Sequence, residues 1–139
     1  MENDLSRFTD AQRSTYSDAF SEIKNGRKRS HWMWYIFPQI AGLGFSETSK
    51  YYAIRNLSEA KAYLEHPVLG HRLVEICHEL LTLNGSDANQ VFGSPDDMKL
   101  KSSMTLFAAV PGADEVFLSV LDKFFGGEKD PRTLQLIAM

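Results

Sequence analysis

Nine consecutive positions, His31-Trp32-Met33-Trp34-Tyr35-Ile36-Phe37-Pro38-Gln39, hold both tryptophans of the chain and no permanently charged side chain. Aromatic rings carry too much apolar surface for such a run to sit in a solvated loop. It serves as the pivot of a core, as the wall of a concave site where flat rings meet a few polar groups, or as both. The apolar residues run on without alternation, so periodicity alone does not separate helix from strand. The helical neighbourhood favours a short helix opened by Ser30 and stopped by Pro38, which has no amide proton to continue a ladder.

The rest of the chain is a succession of helical patterns with clear stops. Thr9 caps and Gln12 closes a capping box for a helix over roughly 10–25, with Tyr16, Phe20 and Ile23 apolar and Gly26 as its left-handed terminator. Ser46 caps a short helix over Glu47 to Ala53, and Ser58 opens another through Ala60, Ala62 and Leu64 that stops at His66-Pro67. Leu69, Leu73, Ile76, Leu80 and Leu83 form one apolar stripe closed by Gly85. A turn over Asp87 to Phe92 precedes Ser94-Pro95-Asp96-Asp97, which reads as cap, first-turn proline and acidic first turn of a helix to about Ala109. Leu100, Met104, Phe107 and Ala108 share its apolar face. Val116, Phe117, Val120, Leu121 and Phe124 mark the next helix, and Asp130-Pro131 starts a last turn. No strand alternation, internal repeat or low-complexity tract intervenes. The expectation is an all-α, multihelical single domain over 1–139, with about seven or eight helices, several of them short.

A net charge of −3 and a pI near 5.8 argue against a protein whose main task is coating nucleic acid or an anionic membrane, both of which demand a broad positive field. Lys24, Arg27, Lys28 and Arg29 are the local exception, read as a solvated helix end whose cations suit the helix dipole. The single Cys77 excludes an internal disulfide and any site of several thiolates, and reads as a small side chain beside the core. With no signal-like apolar N-terminal segment and no run of membrane-spanning length, a cytoplasmic protein without a membrane partner is expected. His71, Glu75 and His78 share a face opposite the leucine stripe, in an order unlike the His-Glu-x-x-His pattern. They read as solvated surface, and neither metal nor cofactor is expected.

Two constellations carry the candidate chemistry. In the first, His31 is the residue suited to proton transfer near neutrality, and Gln39 closes the same segment with an amide that both donates and accepts. Trp32, Trp34 and Tyr35 offer faces for stacking on a planar ligand, although most of the run belongs to a core. Gly42-x-Gly44-x-Ser46 offers free amides for a phosphate, but lacks the lysine of a P-loop and the preceding strand of a dinucleotide fingerprint, and reads more readily as a structural turn. In the second, Asp96, Lys99 and Ser103 lie in one row of a helix whose other side carries Ser102 and Thr105. Hydroxyls on two faces suggest a central helix in which they bond back to carbonyls or meet a ligand.

These segments, His31 to Gln39, Gly42 to Gly44 with Ser46, Ser49 and Tyr52, and Lys99-Leu100-Lys101-Ser102-Ser103-Met104-Thr105-Leu106-Phe107, resemble the DUF1810 family of bacterial and fungal proteins. Arg7-Phe8, Gln12 and His66-Pro67-Val68-Leu69-Gly70 with Arg72-Leu73 fit the same pattern, so the resemblance spans nearly the whole chain. It implies an all-α single domain and no activity. It also suggests that the two constellations meet around one pocket. The leading expectation is therefore a site for a planar, phosphate-bearing small molecule such as a nucleotide or ADP-ribose derivative. Aromatics would stack, the Gly-Leu-Gly turn and Lys99 would meet the anion, and His31 would carry a proton if hydrolysis or group transfer occurs. The rival expectation is an interaction module that docks a protein or single-stranded RNA through the aromatic and basic segments.

Overall fold

A computed structural model describes residues 4–138. Among them the chain forms ten helices and no strand: α1 (Ser6–Arg13), α2 (Tyr16–Lys24), α3 (Met33–Ile36), α4 (Glu47–Tyr51), α5 (Leu57–Glu65), α6 (Leu69–Thr82), α7 (Ala88–Phe92), α8 (Asp96–Ala108), α9 (Val116–Phe125) and α10 (Pro131–Ala138). The all-α reading holds, but the count exceeds the seven or eight expected.

The main reason lies at the start. The helix expected over 10–25 breaks at Ser14-Thr15, so that α1 packs on α3 while α2 packs on α6. Thr9 is inside α1 and its hydroxyl donates back to the Ser6 carbonyl. Gln12 closes no capping box. It is buried, and its Nε2 donates to the Tyr35 carbonyl at 2.7 Å and to the Tyr63 hydroxyl at 2.9 Å. Two other caps differ in the same way. Asn56, not Ser58, accepts the Glu59 amide and opens α5, and Ser30 bonds to Glu22 instead of capping α3. Ser46 does cap α4, its Oγ accepting the Ser49 amide at 3.1 Å, and Gly26 ends α2 at φ +79°.

The stripe Leu69, Leu73, Ile76, Leu80 is buried as its spacing requires, with α5, α2 and α9 laid against α6. At position 70 an added Cβ would stand 2.0 Å from the Leu64 carbonyl oxygen, so glycine lets α6 approach the end of α5. An aromatic line ties the layers together: Phe8 meets Tyr63 edge-on at 5.2 Å, Tyr63 meets Phe107 at 5.3 Å, and Phe107 meets Phe117 at 5.8 Å.

Helix α8 is central. Every residue from Leu100 to Phe107 is buried, so it has no solvated face along that length. Two of its hydroxyls survive burial by bonding backward, Ser102 to the Met98 carbonyl and Thr105 to the Lys101 carbonyl. Thr105 also accepts the Asp130 amide, and the Asp130 carboxylate accepts the Thr133 amide and hydroxyl, which fixes the start of α10.

Candidate functional site

After Pro38 the chain leaves α3, makes a glycine turn, forms α4 and returns. The loop closes on itself where Ile40 and Ile54 form an isolated parallel bridge: the Ala41 amide donates to the Ile54 carbonyl and the Ile54 amide to the Gln39 carbonyl, each at 2.8 Å. Between the outgoing and returning arms of the loop lies a cleft of about 120 Å3, walled by Trp34, Tyr52, Gln39, Gly42, Gly44 and Lys50 among others.

Both glycines are needed. Gly42 has φ +104°, and a Cβ there would press on Leu136 of α10 at 3.0 Å. A Cβ on Gly44 would stand 2.7 Å from Ser49 Oγ, which is committed to the Ser46 carbonyl at 2.8 Å. The turn is thus clamped between α10 and α4.

Trp34 joins the two sequence constellations. Lys99 Nζ stands 3.6 Å from the centroid of the Trp34 ring, a close cation–π contact. The same ammonium pairs with Asp96 at 3.3 Å, and Asp96 pairs with Lys28 at 2.9 Å. Lys28 lies in turn 5.2 Å from the Trp32 ring and has a mostly buried side chain. Lys28 therefore departs from the solvated-helix-end reading of the basic segment.

The approach to the aromatic run is held by Glu22. Its carboxylate accepts the Arg29 amide at 2.6 Å, the Ser30 amide at 2.9 Å, the Ser30 hydroxyl at 2.6 Å and the Trp32 indole N–H at 2.9 Å. Burial pushes its pKa up, but these donors, led by the Ser30 hydroxyl and the Arg29 amide, outweigh it and hold the group at about 2.

The candidates fall into three groups. Trp34, Gln39, Gly42 and Gly44 line the cleft, with Ser46 capping the helix behind it and Lys99 against the Trp34 ring. Trp32 is fully buried between Phe37 and Phe92, and Tyr35 turns its hydroxyl to Thr15 and the His31 carbonyl while its ring lies 5.2 Å from Tyr52. Ser102, Ser103 and His31 are not brought to the cleft. Ser102 reaches Asp130, Ser103 is buried with no hydrogen-bond partner, and the His31 side chain is exposed outside the lining.

Away from the cleft, His71 and His78 are exposed, with His71 3.7 Å from Glu75. Cys77 is buried, and that burial pushes its thiol pKa up.

Two lining residues, Lys50 and Tyr52, were not singled out by local chemistry. Tyr52 does fall within the family-like motif, the one available signal. Burial and the neighbouring Tyr51 and Tyr35 raise the Tyr52 pKa, so its phenol is neutral and can donate a hydrogen bond.

The sequence that builds this helical arrangement, with its tryptophan run beside a glycine-turned cleft, matches the DUF1810 family. The family model, described as a protein of unknown function, matches residues 2–137, and the chain belongs to that family. The chain is also similar to the conserved hypothetical protein Rv1873 from Mycobacterium tuberculosis, known from its crystal structure. The two share 46% identity over 98% of this chain and 97% of that one, with a TM-score of 0.95. No curated protein matches the chain. Among the described residues no helix is long and apolar enough to cross a membrane.

Proposed function

We propose that the protein binds a planar, phosphate-bearing small molecule of the nucleotide or ADP-ribose class, with the flat part of the ligand in the cleft between Trp34 and Tyr52. The observation that carries this reading is the composition of the cleft wall. Two aromatic side chains, a neutral amide, a glycine turn and a lysine converge on one concavity, the combination that orients a flat polar ligand. The cleft, at about 120 Å3, is below the roughly 300–1,000 Å3 of complete small-molecule sites, so it suits a ring and not a whole nucleotide. His31 lies outside the lining, and the reading stops at binding.

The test is thermal shift and tryptophan fluorescence against AMP, NAD and ADP-ribose. A ligand of the native state raises its apparent stability. Trp34→Ala is expected to remove the response while circular dichroism stays helical, because Trp34 is only partly buried. A folded wild-type protein that responds to none of the three refutes the reading. A second reading rests on two exposed rings beside the cleft, Phe45 at 86% and Tyr51 at 59% exposure: contact with a protein or single-stranded RNA. Salt-sensitive retention of RNA would support it.

A further inference from the structure

A second cleft adjoins the first. It measures about 440 Å3 and is lined by Asp4, Ser6, Arg7, Lys50, Tyr51, Ala53 and Arg55, so Lys50 and Ala53 belong to both clefts. The aromatic cleft alone is too small for a nucleotide-sized ligand, whereas the two together reach the usual range.

Their linings differ in kind. The first is aromatic with one cation, while the second gathers three cations, Arg7, Lys50 and Arg55. Among the described residues two carboxylates stand with them, Asp4 in the lining and Glu59 behind it. Arg7 and Arg55 are held in place by Glu59, each at 2.9 Å, and Arg7 also donates to the Asp4 and Ala53 carbonyls at 2.9 Å. Lys50 has no carboxylate partner among the described residues, and it stands at the junction. At the other edge, Lys99 is already paired with Asp96 and set against Trp34.

We propose that the two clefts form one bipartite site, in which the ring of the ligand occupies the Trp34–Tyr52 cleft and its phosphate crosses Lys50 into the Arg7–Lys50–Arg55 cleft. This rests on the binding reading above and adds to it a position for the anion. Lys50 makes the direct contact, and the guanidinium groups of Arg7 and Arg55, held by Glu59, border the phosphate position.

The experiment compares AMP with adenosine by isothermal titration, on wild type, Lys50→Met and Lys99→Met. Wild type is expected to prefer AMP, and Lys50→Met to weaken AMP by up to about fivefold more than it weakens adenosine, the size of one solvent-exposed charged contact. Lys50 is exposed, so Lys50→Met should fold normally, which circular dichroism checks. Equal binding of AMP and adenosine by wild type, or loss of AMP preference in Lys99→Met in place of Lys50→Met, overturns the phosphate position while the aromatic cleft stands. A wild type that binds neither compound overturns both readings.

Discussion

Replacing Glu22 with glutamine keeps the shape of the side chain and removes the charge on which four donors converge. Folding lowers this carboxyl pKa from 4.5 to about 2. At about 1.4 kcal/mol per pH unit that corresponds to roughly 3 kcal/mol, and solvent screening at a partly open group reduces it to about 1–2 kcal/mol. The sign follows from the direction. The folded pKa lies below the unfolded one, so the stabilisation is complete above 4.5 and fades as the pH falls from there toward 2. Urea denaturation of wild type and Glu22→Gln at pH values from 3 to 7 reads this directly. The variant should be about 1–2 kcal/mol less stable at pH 7, with the gap narrowing below about pH 5. A gap that stays constant across the range, or no gap at pH 7, would refute the idea that the ionised carboxylate organises the segment before Trp32.

Three further outcomes follow from the packing. Gly70→Ala is expected to cost about 3 kcal/mol or more in urea denaturation, because the Cβ would meet backbone, the Leu64 carbonyl, and not a side chain that can swing away. Glu59→Gln should lower the melting temperature by an amount equivalent to about 3–5 kcal/mol, since it leaves the mostly buried Arg7 without its carboxylate. The two tryptophans should separate cleanly in the same assay. Trp32→Ala removes a fully buried ring at about 3–5 kcal/mol, whereas Trp34→Ala forfeits mainly the Lys99 contact at about 1 kcal/mol.

What could be read in the sequence was local. The Leu69 to Leu80 stripe, the Ser46 cap and the Gly26 terminator each depend on neighbours within one or two helical turns, and they appear as expected. The crowded hydroxyls of Ser102, Ser103 and Thr105 pointed to a central helix, and two of them, Ser102 and Thr105, bond back to carbonyls as buried hydroxyls require, whereas Ser103 does not.

What could not be read depends on partners distant along the chain. Gln12 resembles a helix-start residue until Tyr63 arrives from 51 positions away, and the bond between Arg7 and the buried Glu59 spans 52. The same limit applies to the cleft. Trp34, Gln39, Gly42 and Gly44 stand close together in sequence, but Lys50 and Tyr52 face them only because the loop returns on itself. No periodicity records such a return.

The Ile40–Ile54 bridge has a kinetic consequence. Two backbone hydrogen bonds join the ends of the loop, and no longer ladder reinforces them. Beyond them the segment from 41 to 53 is held by Leu136 against Gly42, by the Tyr52 ring on Phe8 and Tyr35 and by Arg7 on the Ala53 carbonyl, a smaller set of ties than joins the α5, α6, α8 and α9 layers. The loop is therefore expected to open more readily than the domain unfolds. The amide protons of Ala41 and Ile54 act as its timekeepers: their exchange with deuterated water clocks each parting of the loop, and a guest held beneath would slow that clock while the amides of α6 keep theirs.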